Sequence, residues 1–264
     1  MRFLVTNDDG YDAPGIEALV RVLREFGTSV IVAPLVEHSG CGHRVTTHQP
    51  LTLRRQHPAG MSEDWYSLDC TPADCVRVGL GHLKLEVDYV VAGINAGGNL
   101  GCDVFISGTV AAAREAALLG VPGIAVSQYR RTRGPIDWQR AERWIAPAIR
   151  ACLDERKAPG TFWNLNLPDP AVPEGSESTS GNASPSGPFG GANFIPPVVA
   201  CPLDTNPLAF RYEPVRLEPA HFESGDDKLL YRGAYQDRKR TPDCDVAVCF
   251  AGAVSMTRLQ LAPQ

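Results

Sequence analysis

The opening of the chain constrains the fold more than anything after it. Phe3, Leu4 and Val5 form a short apolar run that gives way to Asn7-Asp8-Asp9-Gly10. Ile16, Leu19, Val20, Leu23 and Phe26 then recur at helical spacing, and a second apolar run, Ser29 to Ala33, stops at Pro34. Strand, helix and strand in so short a span make a βαβ unit, with parallel strands and a right-handed crossover. Asp12 before Pro14 reads as the helix N-cap with an early proline, and Gly27 as the helix end.

The same alternation continues. Val45 to Leu53 reads as a strand or hairpin, and Thr71-Pro72-Ala73-Asp74 as a capping box that opens a helix through Leu80. Val87 to Ile94 reads as a buried strand, and a helix runs from Ser107 or Thr109 to Gly120. Gly123 to Ser127, Trp138 to Arg156 and Phe162 to Leu167 then read as strand, helix and strand. The expected fold is α/β: a doubly wound, Rossmann-like, mostly parallel sheet with a C-terminal β-hairpin or arm used in oligomerisation. We expect residues 1–168 to form a metal- and phosphate-binding core and 169–200 a Gly/Pro/Ser-rich loop. Residues 201–264 would be an arm with strands in the same domain. From Ser176 to Asn193, eleven of eighteen residues are Ser, Gly or Pro, which is loop chemistry. In the tail, Leu229–Tyr231, Val246–Cys249 and Val254–Leu259 look strand-like.

Composition narrows the function. Lys plus Arg number 25 against 30 Asp plus Glu, so the net charge is −5. That balance argues against a nucleic acid polymer, whose binding rests on cationic side chains. No apolar stretch is long enough for a membrane span, and the N-terminus lacks a signal-peptide pattern. We therefore expect a cytoplasmic protein. The eight cysteines include no C-x-x-C pair and read as reduced, buried side chains.

Ligands of open α/β sheets bind beyond the carboxyl ends of the strands, where the winding reverses. Asp8 and Asp9 follow the first strand, Ser39 follows the second, and Asn95 ends the strand at 87–94. Two carboxylates, a hydroxyl and an amide oxygen are hard donors that suit Mg²⁺, Mn²⁺ or Ca²⁺ better than zinc. A turn or helix cap is the plain alternative for the aspartates, and Asp12 already serves as cap. Ser39 and Asn95 matter only because they fall at the same edge. The glycine-rich Gly93–Gly101 run, followed by Ser107-Gly108-Thr109 at a helix start, suits a phosphate approached by backbone amides. It lacks the Gly-Lys-Ser/Thr ending of a Walker loop. His38 and His43 flank Ser39 and read first as surface histidines.

These motifs, in this order, resemble the survival-protein-E (SurE) nucleotidase family. The resemblance rests on Phe3 to Gly10 with Ala13-Pro14-Gly15-Ile16, Ser39-Gly40, His43, Thr46 and Thr71 to Val76. It continues through Gly93-Ile94-Asn95, Asn99-Leu100-Gly101, Asp103-Val104, Ser107 to Val110, Asn164 to Pro168 and the 241–261 tail. It implies a divalent-metal-dependent phosphatase acting on nucleoside 5′-monophosphates, and on 3′-monophosphates as well. It implies one Mg²⁺ or Mn²⁺ per subunit on Asp8, Asp9, Ser39 and Asn95, with Asp8 and Asp9 catalytic. Family phosphate contacts map onto Ser107, Gly108 and Thr109, to which we add Asn99; beside Ser39, His43 and the added cation Arg44 are expected as substrate contacts. A homodimer or homotetramer joined through the C-terminal arm is also implied. The chain departs from the family pattern at Cys70, Arg44 and Cys102. The alternatives are a non-catalytic nucleotide- or phosphate-sensing protein and a metal-dependent deacetylase, though deacetylases place a histidine before the aspartate pair and Thr6-Asn7 provides none. An aspartyl-phosphate route is disfavoured because its aspartates are separated by one residue.

Overall fold

Strand β1 (Arg2–Thr6) lies at the middle of the sheet, parallel to β2 (Thr28–Pro34) on one side and β5 (Tyr89–Asn95) on the other. The computed structural model describes residues 1–131, 134–156, 158–169, 194–208, 210–214, 228–233 and 235–262. Beyond β2 come β4 (Asp64–Leu68), parallel to it, and β3 (Leu53–Gln56), antiparallel at the edge. Beyond β5 come β6 (Gly123–Gln128) and β7 (Thr161–Leu167), both parallel. The last strand, β11 (Val254–Gln260), joins antiparallel to β7, and β8 (Val198–Ala200) closes that edge. Nine strands thus run in the order β3-β4-β2-β1-β5-β6-β7-β11-β8.

Alternation along β1 explains the two layers, because successive side chains leave opposite faces. Phe3 and Val5 join the core beneath α1 (Pro14–Leu23) and α4 (Trp138–Asp154), with Ile16, Leu19, Trp144 and Ile145. Leu4 points the other way, into a cluster with Val76 of α2 (Pro72–Arg77) and Ala112 and Ala116 of α3 (Gly108–Leu118). Strands covered on both faces read as unbroken apolar runs, as β1 and β2 do. Gly15 lets α1 lie against β5: a Cβ there would come within 2.0 Å of the Ile94 carbonyl oxygen.

Several expectations need correction. The N-cap of α1 is Ala13, with no side-chain capping bond, so Asp12 does not cap it. The strand expected over 45–53 begins at Leu53, and its partner β4, which buries Trp65, went unrecognised. Val246–Cys249 is not a strand but the middle of α5 (Asp245–Phe250). Its buried Asp245 carboxylate accepts hydrogen bonds from the Gly101, Asp204 and Val246 amides, which pins the helix start. Within 169–200, Val198–Ala200 is strand rather than loop, while the 176–193 segment lies outside the described residues. The capping box at Thr71 is present, with Asp74 also accepting from Thr46. All eight cysteines are free. The tail divides: β11 completes the main sheet, while β9 (Phe210–Pro214) and β10 (Leu229–Gly233) form a separate antiparallel hairpin.

Candidate active site at the strand switch point

After β1 the chain builds β2 and β4 on one side, then crosses back to place β5 on the other. The crevice between β1 and β5 is therefore where the winding reverses. Asp8 and Asp9 leave β1 here. The Asp8 carboxylate accepts from the Thr109 hydroxyl and, at 3.2 Å, from the Thr109 amide. Asp9 Oδ2 accepts from the Ala96 amide at 3.0 Å, which fixes Asp9 beside Asn95. The other Asp9 oxygen takes no hydrogen bond among the described residues. Asn95 donates through Nδ2 to the Gly97 carbonyl, leaving its Oδ1 as the uncommitted end.

The loop after β2 is tied to the same corner. The His38 amide donates to the Asp8 carbonyl at 2.7 Å, and the Gly42 amide to the Ile106 carbonyl at 3.0 Å. Between these anchors Ser39 is exposed, its hydroxyl donating to Glu37. The structure thus gathers Asp8, Asp9, Ser39 and Asn95 at one sheet edge. It treats His43 differently. Nε2 of His43 lies 2.6 Å from the fully buried Glu115 of α3, and Nδ1 lies 3.4 Å from Arg114. Both ring nitrogens have partners on α3, which ties the loop after β2 to that helix. Arg77 holds the other Glu115 oxygen at 2.6 Å. Arg44 is exposed, and its carbonyl accepts from Thr71.

Helix α3 begins at this corner. Ser107 is its N-cap and accepts from the Val110 amide. The Ser107 amide donates to Asp103 and the Thr109 amide to Asp8, so the free amide of this turn, among the described residues, is that of Gly108. Gly108 has no room for a side chain: a Cβ would meet Cys41 Sγ at 2.8 Å and Asp8 Oδ2 at 3.1 Å. Asn99 has partners on β6 and β7. It is buried, with Nδ2 donating to Ser127, its amide to Asn166, and its carbonyl accepting from Asn164 and Asn166.

Burial pushes the Asp8 carboxyl up to about 6, partly opposed by the Thr109 hydroxyl and reinforced by the neighbouring Asp9. Burial also raises Asp9; the Ala96 amide and Arg130 pull it down, and Glu37 pushes it up. Two adjacent carboxylates held out of water call for a cation or a proton. Among the described residues no three His, Cys, Asp or Glu side chains gather as a metal-binding group. A cation here would rest on two carboxylates completed by the Asn95 and Ser39 oxygens, a donor set that fits a hard divalent ion.

The family model described as Survival protein SurE matches residues 3–183. The chain belongs to the SurE family. A Nostoc sp. protein whose name assigns it provisionally as a 5′-nucleotidase is 40% identical over 99% of this chain and 100% of its own length. The 5′-nucleotidase SurE 1 of Thermus thermophilus is 46% identical over 170 residues, covering 64% of this chain and 66% of that protein. The crystal structure of the Aquifex aeolicus SurE protein superposes with a TM-score of 0.74 at 29% identity, over 100% of this chain and 95% of that one.

Some residues around this SurE-family site escaped sequence reasoning. Glu37 reads as a plain loop carboxylate until its hydrogen bond from Ser39 is seen. Glu115 lies inside the alanine-rich face of α3, and a charge on a buried face was the available signal. Cys41 and Arg130 carried no signal, since each meets the site only through folding.

Proposed function

We propose that this protein is a divalent-metal-dependent phosphatase that releases phosphate from nucleoside 5′-monophosphates, and from 3′-monophosphates as well. The observation that carries the reading is the paired Asp8–Asp9 carboxylates, raised by burial, set against Asn95 and the free Gly108 amide. The names of the Thermus and Nostoc relatives support the nucleotidase activity.

Asp8, Asp9, Asn95 and Ser39 would hold one Mg²⁺ or Mn²⁺. When bound, such an ion acts as a Lewis acid on the phosphoryl group and lowers the pKa of the attacking water. The chain supplies the rest. Thr109 fixes the orientation of Asp8, so Asp8 serves as a rigid ligand. Asp9 keeps one oxygen open, which makes it the group that accepts the proton of the attacking water. The Gly108 amide, at the start of α3, donates to an equatorial phosphoryl oxygen, and the helix dipole favours the charge that accumulates there. Ser107 and Thr109 contribute by holding that turn and Asp8. Phe105 and Ile106, immediately before Ser107, are exposed and would offer the nucleoside an apolar surface.

We place assembly in the β9–β10 hairpin. Phe210, Tyr212, Leu229 and Tyr231 are exposed there, Tyr212 packs edge-on against Tyr231, and a lone two-stranded hairpin is marginal in water. Covering these side chains with a second copy would give the dimer or tetramer. Replacing the four with Ser should lower the sedimenting mass to that of one chain; an unchanged mass would place the contact elsewhere. No described helix is long and apolar enough to cross a membrane.

The deciding experiment is phosphate release by chelator-stripped protein from a panel of phosphomonoesters, with Mg²⁺, Mn²⁺ or Zn²⁺ restored separately. Release from nucleoside monophosphates only with a divalent ion is expected. Nucleotide binding without turnover under every metal would make the protein a sensor instead.

A further inference from the structure

Arg130 follows Tyr129 just past the end of β6, and nothing in its sequence neighbourhood marks it. Its Nη1 reaches the Ala96 carbonyl at 3.4 Å and its Nη2 the Gly134 carbonyl at 2.5 Å. Its Nε is buried without a hydrogen-bond partner among the described residues. Ala96 is the residue whose amide donates to Asp9 Oδ2 at 3.0 Å. The Asp9 carboxylate and the Arg130 guanidinium therefore grip one residue from opposite ends, its N–H and its C=O.

The place of this grip gives it meaning. β5 and β6 pair regularly from Val90 to Ala92, and the register then shifts before Asn95 meets Ser127. Past the Asn95–Ser127 pair the sheet ladder no longer fixes the path of the chain through Ala96 and Gly97. Gly98 is held from one side by Tyr129 and by the Tyr235 hydroxyl, which donates to its carbonyl at 3.1 Å, so the free part of the turn is Ala96–Gly97. A guanidinium fork is suited to holding such a turn, because its donors lie in one rigid plane. Its charge also acts on Asp9, pulling that carboxyl down against the upward push of burial and of Glu37.

We infer that Arg130 is a positioning residue: it holds the Asn95–Gly97 turn against Asp9, so that Asn95 and Asp9 face one cation together. The inference rests on the metal-dependent reading above and adds a residue to it. Partners that orient metal ligands from behind typically cost 10–100-fold in metal affinity or activity when lost.

The test uses full-length Arg130→Lys and Arg130→Met, with Mn²⁺ affinity measured by calorimetry on chelator-stripped protein, kcat and KM at saturating Mn²⁺, and the thermal midpoint without metal. The lysine keeps the charge and loses the fork. We expect both variants to bind Mn²⁺ about tenfold or more weakly and to lose kcat, with KM for the nucleotide within about twofold of wild type. Wild-type Mn²⁺ affinity in Arg130→Lys would overturn the inference, because charge alone would then suffice. Tighter Mn²⁺ binding in Arg130→Met would also overturn it, showing only a repelling charge. A lowered thermal midpoint with unchanged Mn²⁺ affinity would reduce Arg130 to a brace of the fold. Each of these leaves the nucleotidase reading standing, whereas wild-type protein that binds no Mn²⁺ would remove both.

Discussion

Thr109 clasps Asp8 with its amide and its hydroxyl, joining the first turn of α3 to the end of β1 across 101 residues of sequence. Burial opposes the charge of this carboxylate and raises the carboxyl, and the clasp holds the rise to about 6. Function and stability pull against each other at this residue.

Asp8→Asn separates the two. A carboxyl raised above its ordinary 3.8 binds a proton more tightly in the folded state. Its contribution to stability is therefore present at low pH and lost as pH rises through about 6. Metal-free wild type should lose stability between pH 4 and pH 7 by about 3 kcal/mol at most, from this group. The asparagine variant should lack that loss and be the more stable protein at pH 8, while phosphate release collapses. Denaturant unfolding with chelator at pH 5 and pH 8 reads the first claim. A variant less stable than wild type at pH 8 would refute it.

Gly108→Ala tests the closeness of the corner. The added methyl meets Cys41 Sγ at 2.8 Å and Asp8 Oδ2 at 3.1 Å, and the carboxylate has little freedom to yield because Thr109 holds it. Overpacking of this kind costs about 1–3 kcal/mol. Phosphate release should fall by more than the stability change explains, since the Gly108 amide moves away from the substrate. Activity retained with a normal thermal midpoint would mean that this amide does not touch the phosphoryl group.

The parallel core was legible because β1 and β2, covered on both faces, read as plain apolar runs, and the polar break after Thr6 marked the strand end that carries Asp8 and Asp9. Strand β4 was hidden because Asp64, Trp65, Tyr66 and Ser67 mix polar and aromatic residues over only five positions. Val246–Cys249 misread as strand because a short apolar run has no distinguishing period, and the Asp245 contacts that set the helix come from Gly101 and Asp204, far away in sequence. The same distance hid what His43 does. Its neighbours Ser39 and Arg44 suggested a ligand contact, while its partner Glu115 lies 72 residues on.

That pairing makes a prediction of its own. If His43 braces the loop, His43→Gln should keep phosphate release within about tenfold of wild type, below the 10²–10⁴-fold contribution of a positioned acid or base. The pH–rate profile should keep its shape. Glu115→Ala should do more harm, because Arg77 and His43 both lose their shared carboxylate in a buried place. We expect about 2–3 kcal/mol of destabilisation, below the roughly 3–5 kcal/mol of a fully buried broken pair because Arg77 is half exposed. A His43→Gln variant that loses a limb of the pH profile would restore histidine to the chemistry.

The four oxygen donors should not weigh equally in cation binding, and their order follows from their settings. Asp9 contributes a charge from a carboxylate anchored by Ala96, with one oxygen free. Asn95 is neutral but is oriented by its bond to the Gly97 carbonyl. Ser39 is neutral, exposed and already donating to Glu37, so its oxygen is the least prepared. Mn²⁺ affinity should therefore fall most in Asp9→Asn, less in Asn95→Ala and least in Ser39→Ala, with successive steps of about 1.4 kcal/mol, tenfold each. Calorimetric titration of the three stripped variants at pH 8 reads the order directly. A Ser39→Ala loss as large as that of Asp9→Asn would show that the loop after β2, not the strand end, dominates the cation site.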